Sequence, residues 1–197
     1  MSGRPARQAA HGSAGDPDRS DVLAAQADRA AFGTLYRRYL DRVYGYAFYL
    51  LGDHHDAEDV TERTFLAALA AIASFRDEGA SFRSWLFRIA HNQVANALRT
   101  RGRRATASLD AVDHPSADID PATAAGAADE ARELRRALDG LSPDRRQVLV
   151  LRFVDGLSAR EIGVVLGRSE GAVRVLQHRA LRELAATLGD GGSRPAV

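Results

Sequence analysis

Cysteine is absent from all 197 residues. That excludes a disulfide framework and any thiolate metal site. Lysine is absent as well, so all 27 basic residues are arginine. Beside the abundance of Ala, Gly and Asp, this fits a GC-rich coding sequence, and arginine alone does not signal phosphate recognition. The net charge is only +1, which by itself selects no partner. No run of about 18 apolar residues occurs, so no membrane-spanning helix and no membrane insertion are expected. Met1 to Asp18 lacks an apolar stretch and does not read as a secretory signal. Its Gly, Ala, Ser and Pro content reads as a disordered tail, and a cytoplasmic chain is expected. Nothing alternates with period two over any length, so no sheet is expected.

What is present is 45% apolar residues, enough for a core, and an uneven spread of charge. Residues 105–129 carry Asp110, Asp113, Asp118, Asp120 and Asp129 but no Arg, with Pro115, Pro121 and Gly126 among few large apolar residues. That composition predicts a flexible acidic linker. A basic knot, Arg99, Arg101, Arg103 and Arg104, precedes it, and an Arg-rich stretch, 130–188, follows. The expected organisation is a tail over 1–20, a lobe over 21–104, the linker, a second lobe over 130–188 and a tail over 189–197. The fold class is all-α, two small helical domains joined by that linker.

Three helical stretches are predicted in the first lobe. Asp21 to Leu51, with a possible break near Gly33, places Leu35, Tyr39, Val43, Tyr46 and Leu50 on one stripe. Gly52 stops it, and Asp53 caps a second helix over about Asp56 to Ala73, with Val60, Phe65, Leu66, Leu69 and Ile72 inward. A polar loop, Ser74 to Ser81, leads to a third helix over Phe82 to Thr100 that buries Trp85, Leu86, Ile89, Val94 and Leu98. Trp85 has a base-stacking alternative, but its apolar neighbours assign it to the core.

The second lobe is more sharply punctuated. Ser142-Pro143 opens a helix carrying Val148, Leu149, Leu151 and Phe153, and Gly156 ends it. Ser158-Ala159-Arg160-Glu161 is a capping box. The short helix it opens breaks at Gly167, and Ser169 caps the next, which runs to about Leu188. Short helix, glycine turn, longer helix is the pattern of a helix-turn-helix. Its second helix packs Val173, Leu176, Ala180 and Leu184 inward and presents Glu170, Gly171, Arg174 and His178. Arg174 suits a bidentate contact to guanine and Glu170 a contact to cytosine. Arg168, Arg179 and Arg182 flank this face and suit phosphates, as do the free N–H groups beyond Ser169. The alternative for each arginine is a solvated helix face.

Taken together, the two lobes resemble the extracytoplasmic-function sigma factors of bacterial RNA polymerase. Leu141-Ser142-Pro143, Glu161-Ile162, Ser169 to Arg174 and Arg179-Ala180-Leu181 resemble sigma region four. Leu51-Gly52-Asp53, Asp56 to Thr61, Thr64-Phe65-Leu66, Phe82, Trp85-Leu86, Ile89-Ala90 and Asn92 resemble region two. The resemblance covers about residues 21–188. It implies a factor that binds core polymerase, reads the minus-thirty-five element with the second lobe and opens DNA at the minus-ten element with the first. The partners it implies are the β′ clamp helices and β flap of core polymerase, promoter DNA and, as is usual in the group, an anti-sigma factor. Carried over residue by residue, Asp56, Glu58, Asp59 and Glu62 face the clamp. Asn92, Asn96, Arg99, Arg101, Arg103 and Arg104 face the downstream element. This chain departs from the family pattern at Glu62-Arg63, where Gln-Glu is common, and at Asn96, where Asp is common.

Two other classes compete. Asp53-His54-His55-Asp56 offers ligand-type residues, but no second cluster stands at metal spacing. With no phosphate loop and no nucleophile beside a base, neither a catalytic site nor a cofactor is expected. A one-component helix-turn-helix regulator would share the second lobe, but the Asp-Ala-Glu-Asp and Phe-x-x-Trp-Leu-x-x-Ile-Ala helices are those of sigma region two.

Overall fold

The computed structural model describes residues 16–77, 79–107 and 138–191. Among them are seven α-helices and no strand. In the first lobe these are α1 (Arg19–Ala27), α2 (Phe32–Leu51), α3 (His54–Ala71) and α4 (Phe82–Ala107). In the second they are α5 (Pro143–Leu149), α6 (Ala159–Leu166) and α7 (Glu170–Gly191). The expected acidic linker lies, from residue 108 on, outside the described residues, as do residues 1–15 and 192–197 of the expected tails. The rest of the N-terminal tail is corrected: Arg19 and Ser20 begin α1, and the buried Asp18 carboxylate accepts from Arg38 and Tyr39.

The stripe Leu35, Tyr39, Val43, Tyr46 and Leu50 is buried as its spacing requires. The break in the first helix falls at Asp28, not near Gly33. Asp28 is extended (φ −136°, ψ 117°), and its carboxylate accepts the Ala30 N–H at 2.9 Å to start a 3₁₀ turn. An aspartate that can cap the next turn breaks a helix more decisively than a glycine inside a strong apolar repeat. Gly52, at φ 75°, closes α2, and Asp53 accepts the Asp56 N–H at 2.9 Å to open α3, as expected.

Three apolar assignments are corrected. Leu66 is 58% exposed, Leu98 39% and Phe153 64%. Leu66 lies next to buried Phe65 but points to the outer side of α3, while Leu98 falls where α4 runs past the core. Phe153 sits in a π-helical turn, Val150–Val154, which follows α5. The extra residue in that turn rotates Phe153 outward. Phe82 and Phe87, both fully buried, fill the core instead.

The helix-turn-helix forms as its punctuation predicts. Ser158 accepts the Glu161 N–H at 3.2 Å, and the Glu161 carboxylate accepts the Ser158 N–H at 2.8 Å. Gly167 adopts φ 65° at the end of α6. Gly163 serves the turn differently. A β-carbon there would lie 2.6 Å from the Arg168 carbonyl oxygen, a backbone atom that cannot swing aside. Gly163→Ala is therefore expected to destabilise this lobe by about 1–3 kcal/mol. Urea unfolding followed by helicity checks it, and an unchanged midpoint would show that the turn yields freely.

The two lobes pack against each other. Val148, Val150, Leu151, Leu157, Ile162, Val165 and Val173 join the apolar cluster of α2, α3 and α4, so one core runs through both. Helix α6 lies along α4, and the π-helical turn lies against α2. Arg83 of α4 holds the Glu161 carboxylate through both oxygens at 2.7 Å.

Candidate nucleic-acid and partner interfaces

Helix α7 buries Val173 and Ala180 and half-buries Leu176 and Leu184, which orients its other side outward. Arg168, Ser169, Glu170, Gly171, Arg174, His178, Arg179 and Arg182 are all exposed, as the sequence predicts. Two of the arginines have partners in the chain. Arg168 pairs with Asp144 at the start of α5, and Arg174 pairs with Glu170 one turn back. The Ser169 hydroxyl accepts the Ala172 N–H at 3.2 Å, fixing the start of the helix.

On α4, Asn92, Asn96, Arg99 and Arg103 recur at three- and four-residue steps and are exposed. They form one polar stripe beyond the core-facing side. Arg99 donates to the Asn96 side-chain oxygen. Arg101 turns off the stripe and donates to the Leu51 carbonyl at 3.1 Å, satisfying the C-terminus of α2. The side chain of Arg104 lies outside the described residues.

The four acids of α3 divide into two groups. Asp56 lines a polar cleft with Asp53, Arg63, Asn96 and Arg101, between α3 and α4. The Asp56 N–H first, and the N–H of His55 after it, hold the Asp53 carboxyl below the usual carboxylate range. Glu58 and Glu62 instead rim a groove between α2 and α3, and Asp59 stands between cleft and groove. The groove has an apolar floor of Tyr36, Leu40, Phe65, Leu66 and Leu69. Sequence reasoning missed this floor because it placed Leu66 inward. The available signal was Tyr36, which falls off the buried stripe of α2. A second apolar groove, where the helix-turn-helix lobe meets α2, is lined by Tyr49, Leu149, Phe153, Val154, Leu181 and Leu184.

Two family profiles match this chain: Sigma-70 region 2 over residues 35–104 and Sigma-70, region 4 over residues 131–184. ECF RNA polymerase sigma factor ShbA of Streptomyces griseus is 37% identical over 142 residues, 70% of this chain and 74% of its own length. The chain belongs to the extracytoplasmic-function sigma factors. ECF RNA polymerase sigma factor BldN of Streptomyces coelicolor is 39% identical over 171 residues, 86% of this chain. The match spans only 65% of that relative's own length. Among solved structures, CnrH in complex with the cytosolic domain of CnrY superposes with a TM-score of 0.68 at 29% identity, over 88% of this chain and 97% of that one. RpoE in complex with the anti-sigma factor NepR from Bartonella quintana superposes at 0.63 and 24% identity, a likeness of fold.

The region 4 match contains the exposed face of α7, and the region 2 match contains the α4 stripe and the α3 acids. Among the described residues of this sigma factor, no cluster of three His, Cys, Asp or Glu is placed to hold a metal. No described helix is long and apolar enough to cross a membrane.

Proposed function

We propose that this sigma factor binds core RNA polymerase, recognises promoter DNA and starts transcription, taking no catalytic step of its own. The observation that carries this reading is the pairing of two surfaces in one chain. One is the arginine-bearing outer face of a helix-turn-helix; the other is an apolar groove with an acidic rim. The first suits the major groove, where a recognition helix reads base edges and arginines hold phosphates. The second suits a basic, amphipathic helix of a protein partner.

Role by role, the lobe over 130–188 reads the minus-thirty-five element through Glu170, Gly171, Arg174 and His178. Arg168, Ser169, Arg179 and Arg182 hold its backbone. The lobe over 21–104 engages the minus-ten element through the α4 stripe, Asn92, Asn96, Arg99 and Arg103, with Arg101 and Arg104 at its basic end. Glu58, Asp59 and Glu62 meet the β′ clamp helices, with Asp56 at the edge of that contact, and the second apolar groove receives the β flap. An anti-sigma factor of the kind seen with its relatives would regulate it, and it works in the cytoplasm, where polymerase and promoter meet. Co-purification with core polymerase and run-off transcription test the reading. A chain that binds promoter DNA tightly but never polymerase would be a one-component regulator instead.

The free protein is expected to bind promoter DNA weakly. Its net charge of +1 gives little long-range attraction, and Arg168 and Arg174 are already neutralised by Asp144 and Glu170. Gel shifts at physiological salt should show specific binding only after core polymerase is added. Tight specific binding by the chain alone would count against this.

A further inference from the structure

The seam between the lobes holds a buried carboxylate that no hydrogen bond satisfies among the described residues. Asp155, at the end of the π-helical turn, is fully buried, and neither carboxylate oxygen has a hydrogen-bond partner among the described residues. The surroundings are not built to hold it. Arg42 of α2 reaches the segment but donates to the Asp155 backbone carbonyl, at 2.6 Å. Arg83 of α4 is committed to Glu161 of α6. Tyr46 of α2 is wholly buried, and its phenol is held above its usual range by burial and by the Asp155 charge. A buried carboxylate with charges nearby but no hydrogen bond is a destabilised group.

That group sits where separation of the lobes would relieve it. Opening the seam would return Asp155 to water, and would break the Arg83–Glu161 bridge and the Arg42 bond. A compact body of this size is roughly 35–40 Å across, about one DNA turn of 34–36 Å. The two promoter elements proposed above are named for positions about 25 base pairs apart, more than two turns at about 10–10.5 base pairs each. With the lobes sharing one core, both DNA-facing surfaces cannot reach their elements together. We infer that the seam is a latch: Arg83–Glu161 and the shared core hold the sigma factor closed, while the buried Asp155 carboxylate biases it toward opening. The consequence for DNA rests on the proposed function; the latch itself does not.

The latch has a defined pH response. Burial pushes the Asp155 carboxyl up to about 7, against the opposing pull of Arg42 and Arg83. In an open chain it would titrate near the ordinary value of about 4. The closed state therefore holds the extra proton between those values. Asp155 by itself favours closure at low pH: its contribution to the open-to-closed ratio grows about tenfold per pH unit between those values and levels off above 7. His91 of α4 acts in the opposite sense. Burial lowers its pKa, against the pull of Asp144, so the closed state disfavours its protonation below about pH 6.5. Glu161, which burial raises but the bonds from Arg83 and Ser158 lower further, stays charged throughout.

The absence of cysteine allows a clean distance measurement on the full chain. Ala24→Cys on α1 and Ala186→Cys on α7, both exposed, take spin labels for pulsed electron resonance. The expected result is a short-distance population at pH 6.5 whose ratio to the longer distances falls about fourfold by pH 8. Asp155→Asn should keep the short population at both pH values, and Arg83→Ala should lengthen distances even at pH 6.5. Helicity of each variant confirms that the lobes remain folded. If Asp155→Asn lengthens the distances, or if neither substitution moves the distribution, the latch is wrong. In run-off transcription at limiting core polymerase, Asp155→Asn should lower output severalfold, with recovery at saturating core. If the distances respond and transcription does not, the latch stands and the assigned promoter geometry fails.

Discussion

Reversing charge at Asp59 and Glu62 is expected to weaken association with core polymerase by roughly a hundredfold or more, while leaving α3 helical. Both acids are exposed, and with Glu58 they edge the groove floored by Tyr36, Phe65 and Leu66. A basic helix docked there would bring cations against these carboxylates as the apolar floor excludes water. Unpairing a desolvated charge costs about 2–5 kcal/mol, and reversal adds repulsion. The folded chain loses far less. Among the described residues, Asp59 pairs with Arg63, one turn on, at 3.2 Å with both side chains mostly exposed, a contact worth about 0.3–0.5 kcal/mol. The cap of α3 is Asp53, which is left untouched. Asp56→Arg should do less to polymerase binding, because Asp56 faces the cleft shared with Arg63 and Arg101, not the groove. Anisotropy titration against reconstituted core polymerase measures the loss, and circular dichroism the helicity. Wild-type affinity in the double reversal would remove this groove as the clamp-binding surface.

The division of labour among those four acids shows where reading the sequence stopped. Asp56, Glu58, Asp59 and Glu62 form one acidic run in the chain, and nothing in the run tells cleft from groove. That depends on where α2 and α4 lie against α3. What was legible was local and periodic: the α2 stripe, the caps at Asp53 and Ser158, the left-handed glycines 52 and 167, and the outward face of α7. Each follows from backbone hydrogen bonding or a 3.6-residue period, which need no partner element. The misplacements of Leu66, Leu98 and Phe153 share another cause. Leucine and phenylalanine look alike inside and outside a core, and the π-helical turn that rotates Phe153 leaves no mark in composition. The shared core and the buried Asp155 were invisible for the strongest reason. They join residues about 110 positions apart across a segment whose composition reads as a linker. A Val-Asp-Gly sequence at a helix end looks like a solvated turn until the facing helix is known.

Loss of Arg174 is expected to reduce promoter binding about 5- to 150-fold, and to do so unequally among sequences. The side chain projects from the second turn of α7 and is 71% exposed, with its guanidinium on Glu170. Entering the major groove would break that pair, an exposed contact worth about 0.3–0.5 kcal/mol. A bidentate contact to guanine gives about 1–3 kcal/mol of discrimination, so the exchange favours the base. Glu170 is then free to accept from a neighbouring cytosine, so one internal ion pair is replaced by two base readings. In the absence of DNA the same pair holds the long arginine side chain near the position it needs. Arg174→Ala should therefore flatten the preference at one upstream base pair while leaving the others intact. Arg182, on the flank of the helix and exposed, is placed for a phosphate. Arg182→Ala should weaken binding to every sequence equally and lower the salt slope by about one. Competition gel shifts with the reconstituted holoenzyme, over single-base promoter variants and several salt concentrations, separate the two. A uniform loss from both substitutions would mean that Arg174 also holds backbone, and that the upstream element is read by other side chains on this face.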